Sequence, residues 1–396
     1  MTMSGPYSSD GIPITSGQRF SARIVQNSGS AQTFPKVQFG VSQLEPKGGA
    51  LPPHGGGANF PSSGYPLLFL ASQHGYTIDP SNAEGTYLFE TSDSSVAMRR
   101  ALVDVDNSFY VPRLTDPLSI TKTTSAGDTL WTRTNPFSYT GGSIIGLDQL
   151  RSGDVIVSRS TAGGDNPHIV RLNVDTGSTV WAENIGGTSI GSPRLATWED
   201  EYIYTLLSAG WLRRLDPADG SVLASLNMSW PSGSSTAIAV GADRSIFIAN
   251  SDGRVHRRAP DGLSSMWEQQ VGGGVLITDL ATDWNGGRLY SSHADGTLRL
   301  WDVDTGDVLW VHDSPGNEGI GQVWVSPDGF VFYTLGDADH TVVCMTEDAE
   351  GVWVATFVGL VDGSFDPVAS PSGASHPAIN GLPGFPGRWG TDGPPS

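Results

Sequence analysis

Apolar and polar positions along this chain alternate in short blocks rather than in helical stripes. Apolar runs stand at Leu67-Leu-Phe-Leu70, Val155-Ile-Val157, Tyr202-Ile-Tyr204, Ile246-Phe-Ile248, Leu289-Tyr290 and Phe330-Val-Phe-Tyr333. Rich in β-branched and aromatic residues and bounded by Gly, Asp and Asn, they predict buried strands. About 20 residues after each run comes a turn glycine, and the set is Gly85, Gly127, Gly177, Gly220, Gly262, Gly306 and Gly351, at intervals of 42, 50, 43, 42, 44 and 45 residues. An aromatic residue follows each glycine at nearly fixed distance: Phe89, Trp131, Trp181, Trp267, Trp310 and Trp353, with Ala224 standing in the Gly220 copy. A period near 44 made of short strands predicts an all-β, seven-bladed β-propeller with four antiparallel strands per blade. The blade turns are expected at Asp175 and Gly177, Asp216 and Gly220, and Asp304 and Gly306. There glycine supplies a positive φ, and aspartate is expected to bond its own backbone. Trp131, Trp181, Trp267, Trp310 and Trp353 are expected to pack between blades.

Two family resemblances sit on these residues. His293-Ala-Asp-Gly-Thr-Leu-Arg-Leu-Trp301-Asp302 looks like a WD40 repeat, and the Asp, Thr-Gly and Trp spacing resembles the repeat of pyrroloquinoline-quinone-type propellers. Together they cover roughly residues 65 to 360. The chain departs from WD40 proteins in having one Trp-Asp copy and no regular Gly-His before its blades. It departs from quinoprotein dehydrogenases as well, which are longer, usually eight-bladed, and in many cases carry a vicinal cysteine pair, whereas Cys344 is the sole cysteine here. The resemblance therefore implies the fold; quinone binding is not carried over, and no cofactor is expected.

Composition narrows the partners. The chain has 41 acidic and 22 basic residues, a net charge of −19, and only three lysines: Lys36, Lys47 and Lys122. Such a surface resembles that of proteins from extreme halophiles, where molar salt with a Debye length of about 3 Å screens self-repulsion. It argues against binding nucleic-acid phosphates. One cysteine excludes an internal disulfide framework and a cysteine metal cluster. Met1-Thr-Met-Ser-Gly-Pro6 is unlike a signal peptide, and no run reaches 18 apolar residues, so neither export by a visible signal nor membrane insertion is expected.

The organisation read from composition is an N-terminal arm (1–62), the propeller (63–362) and a Pro/Gly-rich tail (363–396). The arm carries strand-like patches at Phe20–Val25 and Val37–Val41. Ring closure needs an inner strand before Leu67; Val37–Val41 or Phe365–Ala369 are the candidates, with the N-terminal one favoured.

Candidate chemistry is sparse. Gly187-Thr-Ser189-Ile-Gly191 matches a nucleophile elbow but lacks the following helix such a site needs. The eight histidines show no metal-ligand spacing. Asp302-Val-Asp304-Thr-Gly306-Asp307 resembles a calcium loop without its glutamate, and reads better as a blade turn. Asn227-Met-Ser229 matches a glycosylation sequon at about the chance rate. No catalytic or metal residue is therefore assigned. Trp301 and Trp324 read as core; Trp198, Trp284, Trp211 and Trp230 fall in expected connections. Trp211 and Trp230 are the candidates for contact with a partner or glycan, on the face opposite the acidic turns. Arg171, Arg213, Arg214, Arg257, Arg258 and Arg299 are expected to form a lateral, solvent-exposed ladder.

The reading these features support is a non-enzymatic structural or recognition propeller in a large assembly. Its expected form is a virion component of a halophilic virus (head decoration, turret, tail or fibre). The partners expected are other subunits, through the terminal arms, and a host-surface protein or glycan. Two alternatives stand beside it: a cellular or cell-surface scaffold or binding protein with a cytoplasmic location, and an enzyme whose residues converge on the central channel from separate blades.

Overall fold

The computed structural model describes residues 67–356, less 72–73, 80–83, 91–101, 104–107, 114–117, 125–126, 138–142, 161–167, 186–193, 199–200, 208–209, 229–233, 242, 262–263, 284–286, 326–328, 337–340, 348 and 350. Among these residues 27 strands form antiparallel sheets that follow one another in chain order. Neighbours in each sheet are consecutive in sequence, so each sheet is an up-and-down meander.

The first sheet has three strands, Leu67–Ala71, His74–Asp79 and Glu84–Glu90. The second has Leu102–Val103, Phe109–Arg113, Ser119–Thr123 and Thr129–Thr134. The third has Ser143–Gln149, Val155–Ser160, His168–Leu172 and Thr179–Asn184. The fourth runs Arg194–Trp198, Tyr202–Leu206, Trp211–Leu215 and Val222–Asn227, and the fifth Ser235–Val240, Ile246–Asn250, Arg254–Arg258 and Ser265–Gln270. The sixth is Ile277–Thr282, Arg288–His293, Thr297–Asp302 and Val308–Asp313. The seventh is Ile320–Val325, Phe330–Leu335, Thr341–Thr346 and Gly351–Thr356.

The core lies between sheets. Each main cluster joins two neighbours: Tyr110, Ile120 and Phe137 meet Leu147, Val157 and Val170 across the second and third sheets. Leu280, Leu289 and Trp301 meet Phe247 and Val255 across the fifth and sixth. Second strands are buried on both faces, as in Ile246–Asn250, which explains why they read as continuous apolar runs and not as alternation. Inner strands are further tied by side-chain bonds. The Asp148 carboxylate accepts from the Thr197 amide at 2.7 Å, Thr197 Oγ1 donates to the Gln149 carbonyl at 2.8 Å, and Thr282 Oγ1 donates to the Val240 carbonyl at 3.0 Å.

Every outer strand carries a β-bulge one residue before its aromatic position. Arg171 pairs with Trp181 and Leu172 with Thr179, so Val180 is skipped. The same register shift skips Leu88, Leu130, Leu223, Met266, Leu309 and Val352. A bulge twists an edge strand and re-aims its side chains. In the first sheet the bulge identifies Glu84–Glu90 as the outer strand, so the strand not found among the described residues is the innermost. The two candidates for it, Val37–Val41 and Phe365–Ala369, lie outside the described residues, as do both terminal segments.

The re-aimed indoles cross to the next sheet. Trp131 Nε1 donates to the Val174 carbonyl at 3.0 Å, Trp181 to Pro217 at 2.8 Å, Trp267 to Val303 at 2.7 Å and Trp310 to Glu347 at 3.2 Å. All four acceptors are the second residue after the last position at which a third strand pairs with its outer strand. The indole face then lies on the turn glycine: a Cβ on Gly177 would sit 2.5 Å from Trp131, on Gly220 2.8 Å from Trp181 and on Gly306 2.9 Å from Trp267. Those glycines also hold positive φ, +65°, +78° and +75°. The turns differ from expectation in one respect. The side chains that bond the backbone two and three residues on are Asn173 and Asp302, and in the Gly220 turn Asp216 bonds the Ala218 amide. The amide two residues after Asp175 and Asp304 is that of the turn glycine, which donates to the Asn173 and Asp302 carbonyls at 2.9 Å; Asp304 instead accepts from Arg257 at 3.1 Å. The amides of Thr305 and Asp304 hold the Asp302 carboxyl below the usual range, which accounts for the aspartate spacing as a turn.

Gly177→Ala is expected to destabilise the fold by about 2–4 kcal/mol, from the left-handed backbone and the clash with the indole. In a Trp131→Ala background the clash is gone, and the same change should cost only about 1 kcal/mol. Urea unfolding of the four variants of this cycle checks the coupling; additive costs would show that indole and glycine do not meet.

Candidate functional site

The arginine ladder is corrected by the structure. All six arginines do lie in third strands, yet Arg171 and Arg257 point between sheets, with side chains 19% and 5% exposed. Arg171 bonds Asp154 at 2.8 Å and donates to the Pro217 carbonyl at 2.7 Å, the acceptor that Trp181 also uses. Arg257 bonds Asp243 at 2.6 Å and the Val303 carbonyl, shared with Trp267. The register explains this: Lys122, Arg171, Arg257, Leu300 and Cys344 each pair with a tryptophan of the outer strand. Their side chains therefore share the face turned to the next sheet. Where Leu300 stands at this position, Arg288 of the same sheet bridges to Glu347 in the next turn.

The fourth sheet lacks the indole, since Ala224 faces Arg214. Its seam is rebuilt from the second strand. Tyr204 Oη donates to the Pro260 carbonyl at 2.6 Å, and Pro260 occupies the same turn position as Val174, Pro217 and Val303. Burial pushes the Tyr204 phenol well up, keeping it a donor. The Arg214 guanidinium lies 4.7 Å from the Tyr202 ring centroid, and Arg244 pairs with Glu201 across the same seam at 3.0 Å. Sequence reading missed Tyr204; the signal that finds it is a proline 43 residues after Pro217, in the acceptor position of a repeat whose donor is absent.

Trp211, one of two candidates for partner contact, opens the third strand of the fourth sheet instead of lying in a connection. It is half-buried, packs on the Leu195, Ile203 and Leu215 cluster, and has Arg213 5.9 Å above its ring. Trp230, Trp284 and the Gly187–Gly191 loop lie outside the described residues, and the side chains of Trp198 and Trp353 are not described. Trp301 and Trp324 are buried. Trp301 Nε1 donates to Ser291 Oγ at 2.8 Å, and Ser291 meets His293 Nε2 at 2.7 Å, a fully buried Trp, Ser and His chain. No group of three or more His, Cys, Asp or Glu able to hold a metal occurs among the described residues. No helix there is long and apolar enough to cross a membrane.

What the described surface presents is a rim. The bulge residues Leu130, Val180, Leu223, Met266 and Leu309 are between 45% and 53% exposed, one on each of five successive outer strands. Each of these strands thus shows a large apolar side chain at the same structural position on an otherwise acidic chain.

With this architecture established, comparison with known proteins is direct. A family model described as outer membrane protein assembly factor BamB matches residues 123–237 and 209–327, together just over half of the chain, and the chain belongs to this family of PQQ-type propeller repeats. Among curated relatives, the outer membrane protein assembly factor BamB of Yersinia pestis is 24% identical over 177 residues, covering 40% of this chain and 43% of that protein. The BamB of Shewanella oneidensis is 26% identical over 158 residues, covering 37% and 39%. The chain thus spans less than half the length of these relatives. Of solved structures, the C-terminal WD40 domain of Sif2 aligns with TM-score 0.54 at 14% identity, over 72% of this chain and 78% of that one, a likeness of fold. BamB from Moraxella catarrhalis aligns with TM-score 0.45 at 17% identity, over 66% and 73%.

Burial pushes the imidazoles of His256 and His293 down to about 4. The unfolded chain binds protons at these sites near pH 6.5 and the folded one does not, so stability is lost as pH falls from about 6.5 towards 4. Asp283, whose carboxyl burial raises, works with the opposite sign. His293→Gln is expected to flatten the fall of unfolding free energy across that window, measured by urea titration at pH 7, 6, 5 and 4; an unchanged slope would place the imidazole in solvent.

Proposed function

We propose that this chain is a non-catalytic β-propeller scaffold that docks protein partners within a larger assembly. The observation that carries the reading is membership of a family whose matched members are named as assembly factors. The chemistry agrees. Polar groups between the sheets that would otherwise be candidates for catalysis, such as Arg171 with Asp154, Arg257 with Asp243 and Asp148 with Thr197, are engaged in holding sheets together. The BamB relatives support a cellular scaffold in preference to a virion component.

The test is photo-crosslinking in the source cells from single positions on the rim, Val180, Leu223 and Met266, with Trp211 as a further position. A discrete adduct with one protein from adjoining positions is expected. Dye-linked oxidation of an alcohol or sugar by the purified chain loaded with pyrroloquinoline quinone and calcium would overturn the non-catalytic reading.

The acidic surface is assigned to a high-salt setting, on the net charge of −19 with only three lysines. Raising KCl from about 0.1 M to 2 M shortens the Debye length roughly fourfold, and the unfolding midpoint is expected to rise by about three degrees, on the order of 2 kcal/mol for a domain of this size. A flat or falling midpoint in calorimetry would sink the assignment.

A further inference from the structure

The outer strand Val308–Asp313 is the most apolar exposed edge among the described residues. Val308, Leu309 and Val311 are 40%, 45% and 48% exposed, and exposed Asp307 and Asp313 bracket them. The other described outer strands expose fewer large aliphatics: Leu130, Val180 and Met266 singly, and Val222 with Leu223 as a pair. An outermost strand also offers unpaired amides and carbonyls, so such an edge attracts another segment unless it is covered.

Charge indicates what covers it. Residues 1–62 carry Arg19, Arg23, Lys36 and Lys47 against Asp10 and Glu45, a net charge of +2 in a chain of net −19. Within them, Arg19-Phe-Ser-Ala-Arg23-Ile-Val25 sets two guanidiniums beside Phe20, Ile24 and Val25, the complement of an aliphatic strand bracketed by aspartates. Reach is ample. About 40 residues lie between this segment and Leu67, on the order of 130 Å when extended, against a diameter of about 50 Å for a 300-residue domain. At low ionic strength a second copy is a poorer occupant, because two bodies of this charge repel.

We propose that Arg19–Val25 docks on the Val308–Asp313 edge of its own molecule, with Phe20 and Ile24 against Leu309 and Val311 and the arginines towards Asp307 and Asp313. The contact covers the most apolar exposed edge among the described outer strands.

Limited trypsin digestion of the full chain tests this. Cleavage after Arg19 and Arg23 is expected to be slow, and about tenfold faster in Leu309→Ser/Val311→Ser than in wild type. Leu130→Ser, on a different outer strand, should leave the rate unchanged. As a second readout, Arg19→Glu/Arg23→Glu should raise hydrogen exchange of the Val308–Asp313 amides about tenfold without altering the other outer strands. Equal cleavage in wild type and the double serine variant would overturn the proposal. Protection that disappears on dilution would overturn it too, by assigning the edge to a second copy.

Discussion

One contact sets the terms for the rest of the molecule: a hydrogen-bond donor on one sheet reaching a turn carbonyl of the next. Four-stranded meanders have no covalent reason to stay side by side, and their flat faces alone fix neither spacing nor angle. The bond from Trp131, Trp181, Trp267 or Trp310 to its acceptor fixes both, and for Trp131, Trp181 and Trp267 the indole lies on the turn glycine as its N–H reaches the carbonyl. The glycine has two duties there. It supplies the left-handed backbone of the turn and leaves the space in which the ring sits.

The bulge before each aromatic follows from that contact. An unbroken strand would run on in register at the blade's outer edge; skipping one residue twists the edge and turns the next side chain towards the neighbouring sheet. The skipped residue is left facing outward, which is how five blades come to display a large aliphatic side chain at the same place. A structural device inside the seams thus produces the repeated surface outside them. The proposed cover of the sixth sheet builds on that outcome at Leu309.

The fourth sheet shows what is conserved physically when the residue changes. Ala224 removes the indole, yet the carbonyl of Pro260 still receives a donor, from Tyr204 in a different strand. An unmet buried carbonyl costs about 1–3 kcal/mol, and the geometry of the wedge lets either strand supply the donor. Arg171 and Arg257 add charged donors to the same acceptors, anchored by Asp154 and Asp243, and so are drawn inward from the solvent where composition alone would put them.

The sequence by itself determined the strand period, the turns and the identity of the inward aromatics. Those depend on local rules: β-branched runs, glycine at positive φ, and a spacing that repeats every 42 to 45 residues in most copies. The roles of Arg171, Arg257 and Tyr204 were decided only by tertiary structure. The arginine and tyrosine bonds join residues 46 to 56 positions apart, and no pattern within one repeat says which face of a strand meets the next sheet. Trp211 belongs with them. Its position reads equally as a loop or a strand end, and only packing against Leu195, Ile203 and Leu215 made it half core and half surface.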